Sequence, residues 1–157
     1  MFRSRQGYTL TELLIVVVMV GSLTLFAIPK FTVLVERNKL GAAREEIAAA
    51  IATARAAAVQ KGRTSTLFLT SNQLWVTVVT SDAGATSTVV PLKKFSSLYN
   101  VTVAPKDPSM TSITFDMRGF LSPRLSQTGV FRIVGGTRKD SVCITTAGQL
   151  MPRGCSL

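Results

Sequence analysis

Hydrophobic and polar positions divide the chain into three stretches of different rhythm. From Tyr8 to Ile28 the residues are almost unbroken apolar, with Glu12 as a carboxylate inside them. A bilayer core takes about 20 predominantly apolar residues to cross as a helix, so residues 8–29 predict a transmembrane helix. Past Pro29 the apolar residues Leu34, Leu40, Ala43, Ile47, Ile51, Ala54 and Ala58 recur along the chain. That largely three- and four-residue spacing predicts an amphipathic helix over residues 30–62. Arg37, Lys39, Arg44, Glu45, Arg55 and Lys61 fall largely off the stripe. The Ala-rich run from Ala42 to Ala58 favours helix and offers a small face for close packing. Gly62 after Lys61 is a suitable stop. Together these stretches give one helix of about fifty residues, with a kink expected at Pro29, which has no amide to donate.

From Thr64 the rhythm shortens to that of β-structure. Thr64–Thr70 and Gln73–Thr80 predict two strands joined by a hairpin turn at Ser71-Asn72, with Trp75 on the inward face. Thr88–Leu92, Tyr99–Val103, Ser112–Asp116, Val130–Val134 and Ser141–Thr146 bring the number to about seven. Asp82–Ser87 and Ala104–Ser109 read as loops. Residues 63–157 therefore form one β-rich domain, of a size that holds a single small core.

Glu12 is costly where it stands, because a charge near a membrane centre costs roughly 2.5–3.5 kcal/mol on insertion scales. A secretory signal peptide explains the basic start at Arg3 and Arg5. Its apolar region, however, spans only about 7–15 residues and holds no carboxylate. Phe26-Ala27-Ile28-Pro29-Lys30 also offers no small-residue cleavage site. A plain single-pass anchor explains the length, and the orientation with Arg3 and Arg5 in the cytoplasm. It leaves Glu12 and the Gly7–Tyr8 junction unexplained.

Arg3-Ser4-Arg5-Gln6-Gly7-Tyr8-Thr9-Leu10-Thr11-Glu12 resembles the type IV pilin signature: a short basic leader ending in Gly, an aromatic residue, and Glu four positions later. Tyr8 stands where Phe is more usual. The resemblance implies a leader of residues 1–7, cut between Gly7 and Tyr8 by a prepilin peptidase, and N-methylation of Tyr8. The new α-ammonium of Tyr8 on one subunit then pairs with Glu12 of a neighbour, since a buried charge is tolerable only when paired. The simpler reading of Glu12 is a helix-start marker lying towards the headgroups, and the two roles are compatible. Pilins similarly carry a Pro at the position of Pro29, where the helix kinks or melts in the filament; a plain helix boundary is the alternative.

A second resemblance lies in the β region. Ile113-Thr114-Phe115-Asp116-Met117-Arg118-Gly119 is similar to the strand-turn element of the pseudopilin H domain shared by GspH pseudopilins and FimT/FimU minor pilins. Val142-Cys143-Ile144-Thr145-Thr146-Ala147-Gly148, followed by Cys155, is similar to the terminal strand and disulfide of those minor pilins. The implied fold is α+β: a long N-terminal helix, membrane-spanning in its first half, packed against a C-terminal two-sheet antiparallel β domain. The implied location is the bacterial inner membrane, single-pass with the globular part in the periplasm or outside, and then a pilus or pseudopilus. A Cys143–Cys155 bridge would persist there; it closes a loop of about a dozen residues and contributes about 3 kcal/mol in the loop-entropy model.

The implied function is structural: a minor pilin or pseudopilin assembled at the tip or initiation complex of a type IV pilus or type II secretion pseudopilus. Its expected partners are prepilin peptidase, other major or minor pilins or pseudopilins, and the inner membrane.

Charge and chemistry add little to this picture. The net charge is +10, and His is absent. A general base, a metal set and a redox CxxC pair are therefore not expected, nor is any cofactor, and no enzymatic role is read from the chain. Gly135-Gly136-Thr137-Arg138-Lys139 lacks the spacing of a phosphate loop and reads as a tight turn. Asp107, Asp116 and Asp140 read as solvated partners of nearby cations. The basic residues Arg124, Arg132, Arg138, Lys139 and Arg153 are a solvated surface or a site for polyanions. Certain minor pilins of the resembled family bind DNA in natural transformation through Gly-Arg-x-Arg after the last strand. Gly148-Gln149-Leu150-Met151-Pro152-Arg153 lacks both arginines at their places. DNA uptake through Arg124, Arg138, Lys139 and Arg153 is accordingly the alternative function.

Overall fold

The computed structural model describes residues 9–81, 83–151 and 155, and side chains at 25–30 lie outside that description. The chain divides into two compact units, Met1–Val35 and Glu36–Leu157. Helix α1, Leu10–Lys61, contributes to both. Thr9 caps its start, accepting the Glu12 amide on its hydroxyl at 3.3 Å while its carbonyl accepts the Leu13 amide at 3.2 Å. This is the Ncap–N3 pattern of Thr-x-x-Glu helix starts. Gly62 ends the helix with φ of 59°. Its amide reaches Val59 O and the Arg63 amide reaches Ala58 O, the paired bonds of a Schellman stop.

One expectation fails in the first unit. Among the described residues no helix is long and apolar enough to cross a membrane. Glu12 breaks the apolar run at one end and Ser22 at the other, where the hydroxyls of Ser22 and Thr24 bond back to Met19 O and Gly21 O. The described side chains are continuously apolar only from Leu13 to Gly21, short of the roughly 20 residues a hydrocarbon core takes. The membrane-spanning first half of the helix is thus corrected, and with it the single-pass inner-membrane location.

In the second unit, α1 lays its small-residue stripe on the β-structure. Leu40, Ala43, Ile47, Ala50, Ile51, Ala54, Ala57 and Ala58 are buried, at helical spacing. Sheet A has the order β3-β2-β1-β5, formed by β1 Ser65–Thr70, β2 Gln73–Val79, β3 Thr86–Lys94 and β5 Ser112–Phe115. Sheet B has the order β4-β6-β7, formed by β4 Thr102–Pro105, β6 Gly129–Gly135 and β7 Arg138–Ile144. All pairings are antiparallel. The inner residues of both sheets, among them Leu67, Val76, Phe115, Phe131, Ile133 and Ile144, join the helix stripe in one core.

Three details depart from the sequence pattern. Trp75 faces away from the core, because Leu74, Val76 and Val78 hold the inward parity of β2; it stacks on its cross-strand partner Phe68 at 5.0 Å. Tyr99 ends a short helix α2, Phe95–Tyr99, instead of opening a strand. The buried Phe95 ring anchors that helix, and Asn100 closes it in the left-handed region. Strand β3 runs through Pro91, which its position at the sheet edge permits.

Asn72 joins the two sheets. At φ of 63° it forms the β1–β2 turn with Ser71. Its side-chain amide donates to Val101 O at 3.0 Å, and its side-chain oxygen accepts the Val103 amide at 2.7 Å.

Candidate functional site

The first unit presents an apolar surface that nothing among the described residues covers. Leu10 is 82% exposed, Leu13 63%, Val17 61% and Leu23 69%, and the intervening residues are similar. A helix that is apolar all round needs burial by something else. Glu12 is the acid of the first turn, where a negative charge favours the helix N-terminus. Its backbone amide is committed to Thr9 and its carboxylate is exposed. Gly7 and Tyr8, the expected processing pair, lie outside the described residues. So does Arg153. The helix runs through Pro29, whose side chain is likewise undescribed.

The C-terminal end is built around the Cys143–Cys155 disulfide, with a Cα separation of 6.1 Å. Ser141 Oγ donates to Cys155 O at 3.2 Å, and Met151 N donates to Cys143 O at 2.9 Å. Beside the cysteine, Thr145–Gln149 turns the chain through Gly148, so that Leu150 pairs with Ile144. The terminal segment is thus held against β7, and the bridge removes loop entropy from the unfolded chain.

The structure separates the basic residues singled out in the sequence. Arg138 and Lys139 open β7, opposite Gly135 and Val134 at the end of β6. Arg124 lies by the other end of β6, roughly 20 Å away along the strand. With Lys106, which the sequence reading passed over, it walls a cleft. Arg132 points outward in the middle of β6. Gly135 and Gly136 form the tight β6–β7 turn: a Cβ on Gly135 would stand 2.9 Å from Val101, and one on Gly136 2.8 Å from the Glu36 carboxylate. Close packing, of Gly135 on Val101 and of Gly136 on Glu36 of α1, explains this Gly pair.

The acids hold structure together. Asp140 pairs with Arg44 at 3.8 Å. Asp116 accepts the amides of Arg118 and Phe120, fixing the turn through Gly119. Asp107 accepts the Ser109 amide and hydroxyl, and these two bonds lower its pKa from the ordinary value. A polar cluster missed in the sequence joins α1 to β3 and α2: Glu46 accepts from Lys93 and from Tyr99. Burial, and then the Glu46 carboxylate, raise the Tyr99 phenol. Among the described residues no group of three or more His, Cys, Asp or Glu is placed to hold a metal ion.

A long helix whose second half packs its small-residue stripe on two antiparallel β-sheets defines the class of fold. Over residues 43–148 the chain matches the family model of the type II transport protein GspH, and it belongs to that family. Its role is structural, of the minor pilin and pseudopilin kind. The fold is shared with the type IV minor pilin FimU of Pseudomonas aeruginosa strain PAO1. In one crystal form the TM-score is 0.59 at 22% identity, covering 75% of this chain and 90% of that one. In another it is 0.55 at 20% identity, covering 73% and 96%. No curated protein matches the chain.

Proposed function

We propose that the chain assembles into a type IV pilus or type II secretion pseudopilus by burying its Leu10–Leu23 surface against the helices of neighbouring subunits. The exposed apolar helix carries this reading: a contiguous run of exposed large apolar side chains marks an interaction surface. Cleavage between Gly7 and Tyr8 by prepilin peptidase, with methylation, leaves an α-ammonium on Tyr8. That cation is the counter-charge for Glu12 of an adjacent subunit, and the pair lets the carboxylate enter an apolar bundle. Pro29 supplies a point where the helix can bend between filament core and globular unit.

Glu12→Ala isolates the carboxylate, because the Thr9 cap uses the backbone amide of residue 12 and survives the change. The variant should still be cleaved to a Tyr8 N-terminus, as read by N-terminal sequencing, while its recovery in sheared filaments falls at least about tenfold, the worth of one buried charge partner. Undiminished recovery would remove Glu12 from assembly.

A further inference from the structure

We infer that the cleft between the loops Lys106–Ser112 and Arg124–Val130 is a binding site for an acidic peptide segment of a partner protein. Its volume is about 730 Å³, within the range of sites that enclose small ligands. Two cations wall it, Lys106 and Arg124. The ion pairs among the described residues lie elsewhere, at Arg44–Asp140 and Lys93–Glu46. The acid at the rim, Asp107, stays charged while the Ser109 bonds hold it in its own loop; it offsets one of the two cations and leaves the wall net positive. Ser126 and Gln127 add neutral hydrogen-bonding groups to the wall. Met110 and Leu125 give it an apolar floor that rests on the core.

The positive surface continues beyond the cleft. The Lys106 amide bonds Val130 O at 2.8 Å, so the chain past β4 stays alongside β6. Across sheet B, Ala104 faces Arg132, Arg132 faces Ser141, and Val134 faces Lys139. With side chains alternating in and out, Arg132 and Lys139 share the outward face as diagonal neighbours. Asp140 is on the opposite parity and already paired with Arg44.

Charge selects an anionic ligand, and the floor selects among anions. Aliphatic Met110 and Leu125 suit the apolar side chains of a peptide. A single strand that binds by base stacking uses aromatic platforms, and none lines the cleft. A second copy of this chain is disfavoured by charge, with 18 Lys and Arg against 8 Asp and Glu. Four of those acids are already committed: Glu46 and Asp140 in ion pairs, Asp107 and Asp116 in turns. The ligand is therefore an acidic, partly apolar segment of a different protein, and its binding does not depend on helix-mediated assembly.

The test uses the full chain in mild detergent, with a fluorescein-labelled peptide of alternating Asp and Leu read by anisotropy. An alternating Asn and Leu peptide and a labelled single-stranded oligonucleotide run alongside. The acidic peptide should bind, weaken with added salt, and lose at least about tenfold in affinity in the Lys106→Gln/Arg124→Gln double variant at unchanged melting temperature. Lys106→Gln alone should lose part of that and Lys94→Gln, on sheet A, almost none. Absence of acidic-peptide binding overturns the assignment. So does equal binding of the Asn peptide, or an equal loss in Lys94→Gln. Tighter oligonucleotide binding that the double variant abolishes replaces it with a polyanion site.

Discussion

Asp107 and Asn72 show how single polar side chains set loops in this molecule. The Ser109 amide, and then its hydroxyl, favour the ionised form of Asp107 and lower its pKa below the ordinary 3.8. A carboxylate with a depressed folded pKa contributes stability above the unfolded value, which is lost as pH falls through the folded one. The Ser109 amide signal, followed by NMR across acidic pH, should therefore titrate with a midpoint below 3.8. A midpoint at or above it would mean that the two bonds do not favour the charged form. Asn72 combines a left-handed turn with two bonds to the β4 side. Asn72→Gly keeps the backbone freedom and removes both bonds, leaving the Val103 amide without its acceptor. A loss of about 1–3 kcal/mol is expected from the shift in denaturant midpoint.

At the scale of elements, α1 carries two surfaces under different constraints. Its C-terminal half is read correctly from the Leu/Ile/Ala stripe, because 3.6-residue periodicity survives folding unchanged. Ala43 and Ala54 are fully buried in the core cluster with the sheet residues. Ala54→Leu should cost about 1–3 kcal/mol in thermal unfolding through overpacking. Ala52→Leu, at an exposed position two residues earlier, should stay within about 0.5 kcal/mol. The β-hairpin at Ser71-Asn72 was equally legible, since those residue types tolerate positive φ. Helix α2 was not. Its five residues are too few for a period, and the burial of Phe95, the Asn100 cap and the Tyr99 bond to Glu46 hold them in place. Trp75 misled for a related reason: β-propensity marks a strand, but parity decides which face is buried, and Leu74 and Val76 set that parity.

For the whole molecule, the folded core and the exposed apolar surface reside in different units. The core lies within Glu36–Leu157, and the Leu10–Leu23 surface contributes nothing to it. Val17→Asp should accordingly leave the melting temperature of the globular unit unchanged while filament incorporation drops. A fall in both would show that the surface supports folding. The sequence by itself determined the long helix, its buried stripe, the β-rich remainder and the family, because periodicity, stop signals and short motifs are local properties of the chain. Tertiary structure decided what no local signal carries. It drew Glu46 into its cluster with Lys93 and Tyr99, and brought Lys106 to Arg124 across a cleft while separating Arg124 from Arg138 and Lys139. These arrangements depend on strand order and register, which bring residues distant in the chain to one surface.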